Sequence, residues 1–404
     1  MPESAESARA RLASARRLVV KLGTNVLTAG TDRLDLAIMA SLVNQVARQV
    51  AGGREVIVVS SGAVAAGRHL LARLHPLGTT STPIRQICAS IGQSRLMAAY
   101  DQFFGWHDVL VAQALLTRAD LSDKARFLNA RTTLLSLLEH RVVPIVNEND
   151  VVAVDELGEL TFGDNDALSA QVANLVDADL LLILTDTEGL FTADPRTSPD
   201  ARLVPFVPLV DDAVEAMAGG AGTMRSRGGM LTKLQAARLA TAAGAAVIVA
   251  PGRLEDVLAR IVVGEPIGTL FAPSENRLES RKRWLLSGMG SKGSVVVDAG
   301  AAAALRDRGK SLLPAGVVRV DGRFERGDTV AIVAEDRALL GYGTSSYSAL
   351  DVGRIRGLQS RAITDVLGYD FGAEVVHRNN LVLVERGEPR TDEYHPHSDE
   401  GARS

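Results

Sequence analysis

Short apolar runs that end in glycine or small polar residues constrain this chain most. Residues 18–22, 55–59, 108–112, 142–146, 180–184 and 246–249 are such runs. Each is too short for a helix and is bounded by turn formers, the mark of a strand buried on both faces of a parallel sheet. Between them lie stretches of helical period, for example residues 36–50 with Leu36, Met39, Leu42, Val43 and Val46, then 84–103 and 126–138. Strand alternating with helix predicts a mostly parallel sheet with helices on both faces. In such a sheet ligands bind at the carboxyl ends of the strands.

Those ends carry the polar residues. Residues 142–146 run into Asn147-Glu148-Asn149-Asp150, and a second cluster, Gly163-Asp164-Asn165-Asp166, opens a helical segment with Asn165 near its cap. A carboxylate here suits an ammonium group, and amides suit hydrogen bonds of either polarity. The same residues are also ordinary turn formers, and this stretch alone leaves both readings open. Other strand ends give Lys21-Leu22-Gly23-Thr24, Ser60-Ser61-Gly62-Ala63 and Thr185-Asp186. Residues 219–229 are rich in glycine and precede Lys233, which is expected in the first turn of a helix starting near Met230. Backbone N–H groups that approach closely and mobile lysine charges are what phosphoryl transfer requires. Singly each motif is weak; together they lie at strand ends or helix starts of one expected sheet.

Two other motifs fail on context. Residues 288–293 fit G-x-G-x-x-G but precede a strand, and Gly309-Lys310-Ser311 lacks the first glycine of a P-loop because Ala304 stands there.

With 404 residues, the chain should form two domains. Its net charge of -4 gives no general field for nucleic acid, and no apolar run approaches the ~18 residues of a membrane helix. Cys88 is the single cysteine, expected in packing, so no intrachain disulfide can form. These features lead us to expect a soluble, cytoplasmic protein. The expected parts are a flexible N-terminal arm (1–15), a catalytic domain (16–273), a charged linker (274–291), a small mainly β domain (292–386) and a disordered tail (387–404) that holds His395 and His397.

The ordered motifs carry a resemblance. Residues 21–24, 60–67, 115–120, 127–131, 146–150, 162–166, 184–186 and 189–196 closely resemble the bacterial glutamate 5-kinase family, one of the amino acid kinases, and the likeness spans about residues 18–384. Residues 311–316 and 367–369 are similar to its appended PUA domain. The resemblance implies an amino acid kinase α/β/α sandwich with a mostly parallel sheet, followed by the PUA-like domain. It implies transfer of the γ-phosphoryl of ATP, with Mg2+ bridging the phosphates, to the side-chain carboxylate of L-glutamate, the first step of proline synthesis. By position it makes Lys21 and Lys233 the cations at the transferring group and Asp166 their orienting residue. Glutamate would be held by Ser61, Asp150 and Asn165, with Asp150 meeting its ammonium. ATP would be held by Lys21, Gly23, Thr185, Asp186, Arg227, Gly228, Gly229, Met230, Leu231, Thr232 and Lys233. No side-chain metal site is implied. The family's nucleotide loop reads Gly-Thr-Gly-Gly-Met, where this chain has Ser226-Arg227-Gly228-Gly229-Met230; the arginine would contact a phosphate or face solvent. The resemblance further implies feedback inhibition by proline, a homo-oligomer (dimer or tetramer), and a transient glutamyl phosphate reductase partner.

Two other readings compete. A sister kinase of the same fold would act on another amino acid, carbamate or a nucleoside monophosphate; the paired Asn/Asp clusters and the PUA-like part argue against it. An RNA-binding protein would use the basic residues Arg277, Arg281, Lys282 and Arg283, but no aromatic stacking platform is evident and the chain is net acidic.

Overall fold

A computed structural model describes residues 4–74, 82–152, 165–218, 224–274 and 291–384, with the side chains of 82, 224–228 and 379 excepted. The chain divides into two compact units, Met1–Arg283 and Trp284–Ser404.

The first unit holds eight strands: β1 (Arg17–Leu22), β2 (Glu55–Ser60), β3 (Val111–Leu116), β4 (Val143–Glu148), β5 (Leu180–Thr185), β6 (Phe206–Val207), β7 (Ala246–Pro251) and β8 (Thr269–Phe271). They form one sheet in the order β3-β4-β2-β1-β5-β7-β8-β6. All neighbours are parallel except β7 and β8. The period-2 geometry of a strand sorts the side chains into two cores. Leu18, Val20, Val58, Leu182 and Leu184 pack with Met39, Leu42, Leu96 and Phe104 on one face. Val19, Ile57, Val59, Leu181 and Ile183 pack with Leu134, Val172, Leu234 and Ala237 on the other. This is the three-layer, mostly parallel α/β sandwich that the alternating runs predict.

Helices Ala63–Ala72 and Thr82–Gly105 pack backbone against backbone. A Cβ on Gly67 would lie 1.8 Å from the Cys88 carbonyl oxygen, and one on Gly92 the same distance from that of Ala63. Only glycine fits at this crossing, which sets where the first helix begins at the end of β2. Cys88 is wholly buried, as a packing residue would be.

Several boundaries differ from those expected. The third strand starts at Val111, not Asp108. The long helix ends in a turn in which Asp108 has φ 55° and Val109 N–H donates to the Phe104 carbonyl, so residues 106–110 are spent in reversing direction. The N-terminal residues are not loose: Ala5–Arg11 is a helix, and the buried Arg9 guanidinium donates to the carbonyls of Pro205, Glu265, Ile267 and Gly268. The helix carrying Lys233 is Met224–Ala242, so the lysine lies in its third turn rather than the first. Residues 275–290 of the expected linker, with its basic cluster, residues 153–164, 219–223 and 385–404, and the side chain of Arg227 fall outside the described residues.

The second unit contains β9 (Gly293–Val297), β10 (Val317–Gly322), β11 (Thr329–Ala334), β12 (Leu339–Thr344) and β13 (Leu381–Leu383) in the order β10-β9-β11-β12-β13. Its core is built around Val295, Leu305, Val330, Ile332, Leu340 and Tyr347. A strand across 375–384 is expected, but only Leu381–Leu383 forms one; Val376 makes an isolated bridge to Leu312. Strand β12, rich in glycine, lacks the apolar run that would have announced it. Gly309 is the left-handed cap of helix Ala299–Arg308, not part of a phosphate loop.

Candidate active site

Lys21 alternates with Val19 along β1, so it points into the helix layer over that face. A lysine there must find a counter-charge or leave the core. Asp166 supplies it from the first turn of helix Asn165–Leu175. Small residues, Ala170 and Ala173 on this helix and Ala236, Ala237 and Ala240 on Met224–Ala242, line the core where the two helices meet. That proximity brings in Lys233. Its Nζ lies 3.1 Å from Asp166 Oδ2 and donates to the Gly229 carbonyl at 2.9 Å. Lys21 Nζ pairs with Asp166 Oδ1, and Thr232 Oγ1 donates to Oδ2 at 3.0 Å. The Asp166 side chain is fully buried and those of the lysines nearly so.

Burial alone would raise the Asp166 carboxyl. The charges of Lys21 and Lys233, with their hydrogen bonds, outweigh it and hold the group well below the usual carboxylate range. Asp166 is therefore a fixed anion that aims two ammonium groups. These three groups together carry one formal positive charge.

Asn165, the preceding residue, faces the other way. Its Nδ2 donates to the Ser60 carbonyl at 3.1 Å, to Ser61 Oγ at 3.0 Å and to Asn147 Oδ1 at 3.0 Å. Asn165, Ser61 and Asn147 border a cleft of about 400 Å³ whose lining also includes Arg68, Arg85 and Asp150. Gly62 turns the chain there with φ 100°, which a side chain would disfavour, and starts helix Ala63–Ala72 at the cleft. Asp150 is mostly buried and lies 3.6 Å from the Arg85 guanidinium. Ser61, Asp150 and Asn165 thus line one cleft, and Lys21, Asp166, Thr232 and Lys233 form one cluster beside it.

At the end of β5, Thr185 Oγ1 donates to Asp186 Oδ1 at 3.1 Å and Asn25 Nδ2 to Asp186 Oδ2 at 2.7 Å. Burial pushes Asp186 up, but these two bonds prevail and its pKa falls below the ordinary value. Gly23 N–H donates to the Leu184 carbonyl, which ties the turn after β1 to the same strand end. Met230 packs partly buried against the core beneath Lys233, so it supports the helix from inside. Asn25, Asn147 and Arg85 were not singled out from the sequence as site residues. Asn147 sat in a quoted cluster, whereas Asn25 and Arg85 carry no local signal.

A mostly parallel sheet with a lysine–carboxylate–lysine cluster and a polar cleft at its strand ends defines a class, and the sequence patterns agree with it. The amino acid kinase family matches residues 16–251 and the PUA domain matches residues 293–367, and the chain belongs to the amino acid kinase family. More particularly, the chain is similar over nearly its whole length to proteins named glutamate 5-kinase. That of Dehalococcoides mccartyi (strain CBDB1) is 49% identical over 369 residues, covering 91% of this chain and 98% of that protein. That of Herpetosiphon aurantiacus is 52% identical over 366 residues, covering 91% and 98%. Among solved structures, UMP kinase from Bacillus anthracis aligns with a TM-score of 0.44 and 18% identity over 64% of this chain and 97% of that one. Among the described residues no helix is long and apolar enough to cross a membrane.

Proposed function

We propose that this chain is a glutamate 5-kinase: it transfers the γ-phosphoryl group of ATP to the side-chain carboxylate of L-glutamate, giving L-glutamyl 5-phosphate and ADP, the first step of proline biosynthesis. The observation that carries the reading is the opening of helix Asn165–Leu175. One residue there, Asn165, addresses the acceptor cleft, and the next, Asp166, holds the two lysines. A single rigid element thereby couples the position of the acceptor to that of the charge that must develop. The full-length relatives named glutamate 5-kinase support the choice of acceptor.

The chemistry asks little of the protein beyond positioning and electrostatics. A glutamate side chain is already ionised at neutral pH, so its oxygen attacks phosphorus without a general base. As the new O–P bond forms, the bond to the ADP oxygen breaks and negative charge moves onto the nucleotide. Lys21 and Lys233 meet that charge; Asp166 keeps both ammonium groups aimed. In the cleft Asp150 takes the substrate ammonium, and Ser61 and Asn165 hydrogen-bond its polar groups. Gly23, Thr185, Asp186 and residues 227–233 line the ATP side. Mg2+ would arrive with ATP and neutralise charge across its phosphates. The cationic donor set of Lys21 and Lys233 suits phosphate oxygens rather than the metal itself, so phosphates and water would be its ligands.

Proline is proposed to compete for the same cleft, which offers the carboxylate of Asp150 to its ammonium. The working form is a homo-oligomer in the cytoplasm. Since an acyl phosphate is labile, a glutamyl phosphate reductase is its natural transient partner. The test is ADP release with Mg-ATP and L-glutamate, L-aspartate, N-acetyl-L-glutamate or UMP, with hydroxylamine to trap an acyl phosphate. Glutamate-dependent ADP with hydroxamate is expected; turnover only with another acceptor would overturn the assignment of Asp150 and Asn165.

A further inference from the structure

Helix Thr82–Gly105 carries a polar stripe along its length. Gln86, Gln93 and Tyr100 are spaced by seven residues, so they share one face. Each holds a different chain segment next to the acceptor cleft. Gln86 Nε2 donates to the Val151 carbonyl at 3.3 Å, beside Asp150. Gln93 Oε1 accepts from Asn147 Nδ2 at 2.8 Å, at the end of β4. Tyr100, wholly buried, shares a 2.7 Å hydrogen bond with Ser60 Oγ at the end of β2. None of the three borders the cleft itself.

The middle contact determines which way two amides point. Asn147 Oδ1 accepts from its neighbour's backbone, Glu148 N–H, at 2.9 Å, and from Asn165 Nδ2 at 3.0 Å. A backbone N–H can only donate, so the Asn147 oxygen must face it and the Asn147 nitrogen must face Gln93. At the far end Asn165 Nδ2 meets the Ser60 carbonyl, which can only accept. The chain Gln93–Asn147–Asn165–Ser61 therefore has one consistent set of donors and acceptors, anchored by backbone groups at two points. Its two open valences are Gln93 Nε2 and Asn165 Oδ1, both buried and without a partner among the described residues. If Gln93 offered no acceptor, the buried Asn147 nitrogen would be orphaned, and turning that amide over would set oxygen against Gln93 while depriving Glu148 N–H and Asn165 Nδ2 of their acceptor.

We propose that Gln93 is a positioning residue for the acceptor site: it fixes the Asn147 amide, and through it the hydrogen-bonding direction of Asn165 and Ser61 toward the acceptor. The inference rests on the glutamate kinase reading for the identity of the acceptor. Gln93 touches neither reactant, so its loss acts on acceptor binding while ATP binding, on the Lys233 side, is spared.

The experiment compares wild type, Gln93→Met and Gln93→Glu in the full-length protein by steady-state kinetics and thermal melting. Met keeps the volume and removes the acceptor; Glu keeps an acceptor oxygen facing Asn147. Gln93→Met is expected to raise KM for L-glutamate about tenfold with KM for ATP changed less than about twofold, while Gln93→Glu stays near wild type. An unchanged glutamate KM in Gln93→Met, an equal rise for both substrates, or a Gln93→Glu variant no better than Gln93→Met overturns the proposal. Should Gln93→Met not fold, Gln93→Glu decides: a retained glutamate KM supports the role and a tenfold rise refutes it. A wild type that turns over a different acceptor sinks the glutamate reading, and the same split in KM for that acceptor still upholds Gln93.

Discussion

The two sides of this site are built from different physics. On the transfer side three charged groups are buried together, Lys21 and Lys233 on the two oxygens of Asp166. On the acceptor side neutral amides and a hydroxyl line up end to end, with the charged Asp150 and Arg85 at the cleft. Buried charge is costly to leave unpaired, so the transfer side is fixed by electrostatic necessity. Amides are cheaper to bury but have a head and a tail, so the acceptor side is fixed by direction. A kinase needs both: strong charge where it develops, and orientation where a small substrate must be told from its neighbours.

Lys233→Ala breaks the contrast most sharply. In the proposed role Lys233 is a cation aimed at developing charge, so its loss should lower turnover by about two to four orders of magnitude, with glutamate KM little changed. Turnover within threefold of wild type would remove Lys233 from the chemistry.

Asp166→Asn should cost both activity and fold. Two buried ammonium groups would lose their counter-ion, a loss of about 3–5 kcal/mol in stability by chemical unfolding. The pH dependence has a defined sign. Because Asp166 is held below its unfolded pKa, its contribution is complete at neutral pH and disappears only as pH falls below about 4. Wild type should therefore lose stability more steeply than Asp166→Asn on acidification through that range. Parallel curves would show that the carboxylate is not held down by its lysines.

Asp150→Asn tests the acceptor side and has a smaller expected effect than either change on the transfer side. Glutamate KM should rise about tenfold to a hundredfold and ATP KM by less than about twofold, since the proposed ammonium partner and the charge facing Arg85 both lie on the acceptor side. Equal rises in both would mean that Asp150 supports the site as a whole and does not meet the substrate.

The alternating apolar runs made the layered sheet legible, because a strand buried on both faces leaves a continuous hydrophobic signature. Leu180–Thr185 is buried at every position and reads that way without structure. Strand β3 was misplaced by three residues, since the turn at Asp108 depends on how the long helix ends. The docked N-terminal helix escaped notice because Arg9 is held by carbonyls some 200 to 260 residues away.

Local chain order set the chemistry available at each strand end: lysine near the end of β1, Ser-Gly following β2, Asn and Asp around the end of β4, Thr-Asp at the end of β5. These are local features, written in the order of the chain. Which of them share a space depends on how the sheet and helices pack. The pairing of Lys21 with Asp166 depends on helix Asn165–Leu175 packing over β1, and that of Lys233 on how closely two alanine-lined helices approach. The stripe of Gln86, Gln93 and Tyr100 became part of the site because two glycines let its helix cross a neighbour at backbone distance. Hydrogen-bond direction is a property of a network, and a network exists only once the chain has closed on itself.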